Sequence, residues 1–65
     1  MNFTDFDGHK VKIVTKNGKT FQGYATIYTD DETDEDYISL HIEHHIELFN
    51  DENVASIEII DQPTK

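Results

Sequence analysis

Apolar residues recur at every second position through most of this chain, a pattern that favours β-strands over helices. In "VKIVT" the residues Val11, Ile13 and Thr15 share one face, and "TFQGYATIYT" and "YISLHI" repeat the alternation with β-branched and aromatic residues. A period of two is expected of half-buried strands, whereas an amphipathic helix repeats every 3.6 residues. Only the short "FTDF" that begins at Phe3 has helical character. The sequence therefore predicts an all-β domain with at most a short N-terminal helical turn.

The connection "TKNGKT" predicts a β-hairpin, because Asn-Gly between two alternating runs favours a tight turn. A two-residue loop at Asn17 and Gly18 would place Val14 opposite Phe21 and would divide the apolar residues between the two faces. A three-residue loop, with Gly18 left-handed in a bulge, sets Ile13 opposite Phe21 instead. We prefer the three-residue loop because it keeps the apolar residues of both strands on one face.

Two further glycines mark places where the chain turns or bends. Gly8 stands in a turn ahead of the first strand, and Gly23 lies inside the longest alternating run, where the strand must bend. Five short strands in 65 residues, one of them bent, favour a sheet that closes on itself. The sequence therefore predicts one domain over residues 1–65, a small and strongly bent antiparallel barrel.

The last part of the chain predicts one more strand. The stretch "NDEN" has the composition of a tight turn, and "VASIEII" alternates so that Ala55, Ile57 and Ile59 share a face. Residues 61–65, "DQPTK", contain the only proline and are expected to form a frayed tail.

The run "DDETDED" at residues 30–36 holds six acidic side chains in seven residues. They are Asp30, Asp31, Glu32, Asp34, Glu35 and Asp36. So much charge cannot be buried in a strand, and the run is predicted to be a solvated loop between the second and third strands. An EF-hand calcium loop needs a glycine at its tight turn and two flanking helices, which this run lacks. We interpret the loop either as an interaction site for a basic protein or as a solubility feature.

The overall charge and the absence of targeting segments limit the functional classes. The chain carries 14 Asp and Glu against five Lys and no Arg, a formal net charge of -9 at pH 7. Such a field repels phosphate backbones. The N-terminus lacks a basic leader, and no segment approaches the roughly 20 apolar residues of a membrane span. We therefore expect a cytoplasmic, bacterial-type protein that makes no membrane contact.

Catalytic groups are sparse in this sequence. Cysteine is absent, which excludes a thiol nucleophile and thiolate metal sites. Ser39 and Ser56 lie in predicted strands without a nucleophile motif or an evident histidine partner. A barrel of this size offers little cavity for a substrate. We therefore expect neither an enzyme nor a cofactor.

The stretch "HIEHHIEL" at residues 41–48 contains three of the four histidines. As a helix it would group His41, His44 and His45 at metal-ligand spacing. The flanking alternation instead favours two strands, with Glu43, His44 and His45 forming or flanking the turn between them. Alternate positions on a strand can supply two zinc ligands, but a site needs three or four. The histidines are therefore interpreted as solvated residues of a hairpin rather than as a metal site.

Two stretches resemble motifs of the Sm-like family. Residues 8–25, "GHKVKIVTKNGKTFQGYA", have an opening glycine, alternating apolar residues, Asn-Gly at the hairpin, and an aromatic residue two positions before a glycine. Residues 46–60, "IELFNDENVASIEII", are similar to the second motif, with an apolar strand, a tight turn and a final strand in the same order. "FTDFDG" stands where the family carries its N-terminal helix. The resemblance covers nearly the whole chain and implies a five-stranded SH3-like barrel.

This sequence lacks the residues by which Sm-like proteins typically bind RNA. The family's RNA-binding members carry an aspartate and an asparagine around the loop after the bent strand, and an Arg-Gly pair before the last strand. Here that loop contains no asparagine, and Asn50 and Asp51 stand where Arg-Gly would be. An arginine that would stack on bases and meet phosphate is missing. The residues that could still contact RNA are Lys10, Lys12, Tyr24 and Asn50.

Sm-like proteins form rings in which the fourth strand of one subunit pairs with the fifth strand of the next. Here those strands would be residues 46–49 and 54–60. Val14, Phe49 and Ile60 fall outside the inward-facing set and would supply apolar contacts between subunits. We therefore expect a non-enzymatic module that binds a protein partner or assembles as a homo-oligomer. The alternatives are an RNA-binding ring with a variant site and a metal-dependent module.

Overall fold

The computed structural model describes residues 3–61, which form a short 3-10 helix and five β-strands. The helix spans Thr4–Phe6, and the strands are β1 (Lys10–Thr15), β2 (Thr20–Thr29), β3 (Asp36–Ile42), β4 (His45–Phe49) and β5 (Val54–Ile59). The predicted all-β class and the short N-terminal helical turn are confirmed. Within residues 3–61, no helix is both long enough and apolar enough to cross a membrane.

The five strands form one antiparallel sheet in the order β4-β3-β2-β1-β5. Strands β1 to β4 pair with their neighbours along the chain, as short connections favour, and β5 returns to pair with β1. β4 and β5 are therefore the two edges of the sheet. The sheet is not closed between these edges, so the closed barrel stays a prediction.

The hairpin between β1 and β2 has the register predicted for a three-residue loop. Ile13 lies opposite Phe21, and Val11 lies opposite Gly23. The N–H of Gly18 donates to the last carbonyl of β1 at 2.9 Å, and its φ of 90° is one that residues with a side chain rarely adopt. The left-handed Gly18 thus allows the apolar residues of both strands to share the inner face of the sheet.

Strands β2 and β3 approach each other closely at Gly23. A Cβ atom at this position would lie 2.3 Å from the carbonyl oxygen of His41 on β3. Because the obstructing atom belongs to the backbone, it cannot move aside as a flexible side chain could. The approach therefore requires glycine at position 23.

Eight apolar residues are buried, and within residues 3–61 no polar or charged residue is buried with them. They are Phe3, Val11, Ile13, Ala25, Ile38, Leu40, Phe49 and Val54. The prediction that Phe49 falls outside the inward-facing set is wrong. Phe49 lies opposite Ile38 on the inner face, and only 5% of its surface is exposed.

The start of β5 also differs from the prediction. Ala55 is exposed rather than inward-facing, and Val54 is buried in its place. The last two residues of β1 lie opposite Ser56 and Val54, so Ala55 is an extra residue in the pairing. Such an irregularity shifts the alternation by one residue. Beyond it, Ile57 and Ile59 lie opposite inner-face residues of β1, as predicted.

Candidate functional site at the two free edges of the sheet

The turn between β3 and β4 sets which side chains of β4 face inward. Glu43 and His44 form this turn, within the predicted range, and Ile42 lies opposite His45. Residues that are directly opposite in an antiparallel pair point to the same face. Since Ile42 packs against the core, His45 and Glu47 also point to the inner side of the sheet.

The outer side of β4 therefore carries both aliphatic residues of the strand. Ile46 lies opposite His41 and is 55% exposed, and Leu48 lies opposite Ser39 and is 64% exposed. Apart from Phe49, β4 thus has apolar side chains on the solvent side and polar ones on the inner side, the reverse of β3. Exposed apolar residues on an unpaired edge are a common feature of strands that pair with another chain.

His45 and Glu47 are in contact on the inner side of β4. The Nε2 atom of His45 lies 3.2 Å from Oε2 of Glu47, and the two side chains are 57% and 42% exposed. Glu47 also lines a cleft of about 380 Å³ between β4 and the end of the β1–β2 hairpin, where Lys19 and Phe21 form part of the opposite wall. The open sheet therefore leaves this His-Glu pair accessible to solvent.

The three histidines considered as metal ligands do not come together. His41 lies on the outer face of β3 opposite Tyr24, His44 is in the turn, and His45 points to the inner side of β4. The alternation of the two strands separates their side chains. Within residues 3–61 of one chain, no three His, Asp or Glu side chains are grouped so that they could hold a metal ion.

The end of β5 is tied to the start of β1. The N–H of Ile60 donates to the carbonyl of Lys10 at 2.8 Å. The Asp61 carboxylate accepts hydrogen bonds from His9 Nδ1 at 2.8 Å and from the Lys10 N–H at 2.6 Å. The His9 bond, and to a lesser extent the Lys10 bond, hold the pKa of Asp61 below its ordinary value. Asp61 is the first residue of the predicted tail, and the rest of that tail, 62–65, lies outside the described residues.

The acidic loop is folded by hydrogen bonds of its own. The N–H of Asp30 donates to the carbonyl of Glu35 at 2.9 Å, and the N–H of Asp34 donates to the carbonyl of Asp30 at 2.8 Å. Asp34 adopts a φ of 58°, which closes the turn. Asp36, predicted as the end of the loop, is the first residue of β3. The loop therefore has a defined backbone conformation.

A side-chain network joins the acidic loop to the turn between β4 and β5. The Glu35 carboxylate accepts a hydrogen bond from Asn50 Nδ2 at 3.2 Å and another from the Tyr37 hydroxyl at 3.2 Å. The bond to Glu35 raises the pKa of Tyr37. Asn50 leads directly into Asp51 and Glu52, so two acidic segments of the sequence meet at one end of the molecule.

The structure brings together only some of the residues considered for RNA contact. Lys10 lies opposite Tyr24 on the outer face, with Lys12 two positions further along β1. Lys10 and Tyr24 also line one cleft of about 330 Å³ together with His41. Asn50 is instead hydrogen-bonded to the acidic loop, through Glu35. The predicted set is therefore divided between two regions.

The outward direction of Ile46 and Leu48, and the pairing of His45 with Glu47, were missed by sequence reasoning. The signal lay in the length of the turn. A two-residue turn at positions 43 and 44 pairs Ile42 with His45. This pairing then determines which face of the sheet each residue of β4 occupies.

The resemblance to the Sm-like family rests on the two motifs in the sequence. Comparisons of the chain with models of protein families, with curated proteins and with solved structures found no match.

Proposed function

We propose that the chain is a non-enzymatic Sm-like domain that assembles with further copies of itself, by pairing β4 of one copy with β5 of the next. The observation that carries the proposal is the reversed alternation of β4, which exposes Ile46 and Leu48. The strand order supports it, because it leaves β4 and β5 as unpaired edges. Each such pairing would cover the free β4 edge of one copy and the free β5 edge of another.

The directions of the strands determine which faces would meet. β1 is antiparallel to β2 and to β5, and β2, β3 and β4 alternate, so β4 and β5 run in the same direction. Antiparallel pairing of β4 with β5 of a second copy therefore requires the second copy to be turned over. Antiparallel pairing is slightly more stable per residue than parallel pairing. The outer side chains of β4 would then lie beside the inner side chains of the neighbouring β5.

This orientation matches apolar residues with apolar residues. Ile46 and Leu48 lie on the same side as Ile57 and Ile59 of the second copy, in a register that sets Ile46 opposite Ile59 and Leu48 opposite Ile57. In one copy Ile59 is 43% exposed and Ile57 is half-buried. The side chains of β4 would cover the open side of the neighbour's core, with about 0.8 kcal/mol gained for each CH₂ group removed from water.

The unpaired backbone groups fit the same register. The two-residue turn before β4 directs the N–H and C=O groups of Ile46 and Leu48 away from β3. On β5, the backbone bond from Ile60 to β1 leaves the groups of Ile57 and Ile59 pointing to the free edge. Pairing in this register would therefore satisfy backbone groups that a single copy leaves to water.

The solution mass, measured by light scattering over a range of protein concentrations, tests the proposal. We expect a mass above that of one chain for the native protein, and the mass of one chain for Leu48→Lys, because the change places a charge in the apolar contact. Tyr28→Lys is the matched control, since Tyr28 is 57% exposed but lies on the interior strand β2. A native protein that stays a single chain, or a Leu48→Lys variant that assembles normally, contradicts the proposal.

A further inference from the structure

The polar side of β4 acquires a specific environment in the proposed contact. We propose that His45 and Glu47 of one copy, together with Glu58 of the second copy, form a Zn²⁺ site across the pairing of β4 with β5. The inference rests on the proposed function, because one copy places only two of these three side chains together. It assigns a ligand to residues that point inward and are nevertheless exposed.

The two ligands on β4 are already side by side. His45 Nε2 and Glu47 Oε2 are 3.2 Å apart, on alternate positions of one strand and on one side of the sheet. Imidazole nitrogen and carboxylate oxygen both bind zinc, at about 2.0–2.2 Å. A zinc ion would replace the contact between the two side chains and bind both of them. A stable site requires at least a third protein ligand.

The neighbouring copy supplies that ligand in the register described above. The register places Glu47 directly opposite Glu58 of the second copy. Within its own copy, Glu58 lies on the outer face of β5, opposite Lys12. Because the second copy is turned over, this face lies on the same side as His45 and Glu47. The Cβ atoms of directly opposite residues are about 4.5–5.5 Å apart, which allows two carboxylates to share one metal ion.

The charge of a zinc ion would remove a repulsion between the two copies. Without a cation, Glu47 and Glu58 would face each other as like charges, which destabilises a cross-strand pair. One Zn²⁺ neutralises both carboxylates, and a water molecule completes four-coordinate geometry. The cleft of about 380 Å³ beside Glu47 leaves room for that water. Zinc is therefore expected to strengthen the contact between copies.

Addition of ZnCl₂ to chelator-treated protein tests the site, with light scattering for mass and isothermal titration calorimetry for binding. At a zinc concentration about tenfold above its Kd, the apparent association constant is expected to rise about tenfold, and EDTA is expected to reverse the change. His45→Gln and Glu58→Gln are expected to lose this response. The matched controls His44→Gln, in the adjacent turn, and Glu52→Gln, in the turn before β5, are expected to keep it.

Mixing the two unresponsive variants shows whether the ligands come from different copies. A contact between β4 of the Glu58→Gln chain and β5 of the His45→Gln chain contains all three native ligands. The mixture is therefore expected to regain part of the zinc response that neither variant shows alone. No recovery in the mixture contradicts a site shared between copies.

Two outcomes separate the zinc site from the proposed assembly. If zinc leaves the mass unchanged, or if the response survives in Glu58→Gln, the zinc site is wrong, while the edge pairing stands or falls on the Leu48→Lys result. A native chain that remains single both with and without zinc overturns the zinc site and the edge pairing together.

Discussion

The rings of Phe21 and Phe49 lie 5.2 Å apart, centroid to centroid, with their planes tilted by 59°. Phe21 is near the start of β2 and Phe49 ends β4, so the contact joins the first hairpin to the edge strand across the inner face. A tilted aromatic pair at this distance adds about 0.5–1.5 kcal/mol beyond the burial of the rings. The pair anchors β4 immediately beside the outward-facing Leu48.

Truncation of this anchor is expected to destabilise the fold. Phe49→Ala should lower the free energy of unfolding by about 3–5 kcal/mol, because it removes a buried ring and leaves a cavity. Urea denaturation followed by circular dichroism, at protein concentrations that favour single chains, measures the change. Leu48→Ala is the control, since its exposed side chain should contribute no more than about 0.5 kcal/mol. Equal losses for the two variants would show that Phe49 is not in the core.

The close approach at Gly23 predicts a different kind of loss. Gly23→Ala is expected to lower the free energy of unfolding by about 3 kcal/mol, because the new methyl group meets the backbone oxygen of His41. Thermal denaturation measures the effect. Thr26→Ala, on the exposed face of the same strand, serves as the control and should change little. A Gly23→Ala variant as stable as the native protein would mean that β2 and β3 are further apart than the structure places them.

The hydrogen bonds of Asp61 predict a dependence on pH. The folded-state pKa of Asp61 lies below its unfolded value, so the stability that Asp61 contributes is present above the unfolded pKa and is lost as the pH falls through the folded one. The difference in free energy of unfolding between native protein and Asp61→Asn should therefore be largest near neutral pH. It should shrink below about pH 4. Asp31→Asn, in the acidic loop, provides the comparison, and a constant difference for Asp61→Asn across this range contradicts the prediction.

Salt is expected to strengthen assembly. Each copy carries a formal charge of -9, and the repulsion between copies is screened as the Debye length falls from about 10 Å at 0.1 M to about 3 Å at 1 M salt. Light scattering on chelator-treated protein at constant concentration should show the mean mass increasing with NaCl. Dissociation at high salt would mean that attraction between charges, rather than apolar contact, holds the copies together.

The first hairpin was predictable because the signals that define it are local. The stretch from Lys16 to Gly18 fixes where the chain reverses, and the need to place Ile13 and Phe21 on one face decides between two loop lengths. The alternation within β5 likewise predicted that Ile57 and Ile59 share the inner face. In each case neighbouring residues carry enough information to fix the alternation.

Features that depend on distant partners could not be predicted in this way. Val54 occupies the inner position that was predicted for Ala55, because the pairing with β1 shifts by one residue there. No residue of β5 indicates this shift. His9 and Asp61, 52 positions apart, meet only because β5 returns to the start of β1. Which residues of β4 point to the inner face depended on the length of one turn. A turn longer or shorter by one residue would have placed Leu48 on the inner face and Glu47 on the outer face.

β4 and β5 are different surfaces, and this asymmetry has a consequence for any assembly they form. A contact between unlike surfaces is heterologous, so each added copy covers one free edge and supplies another, and an open series always keeps one β4 and one β5 exposed. The pairing itself therefore sets no upper limit on the number of copies. Whether such a series ends as a closed cycle or continues as a filament depends on the rotation from one copy to the next.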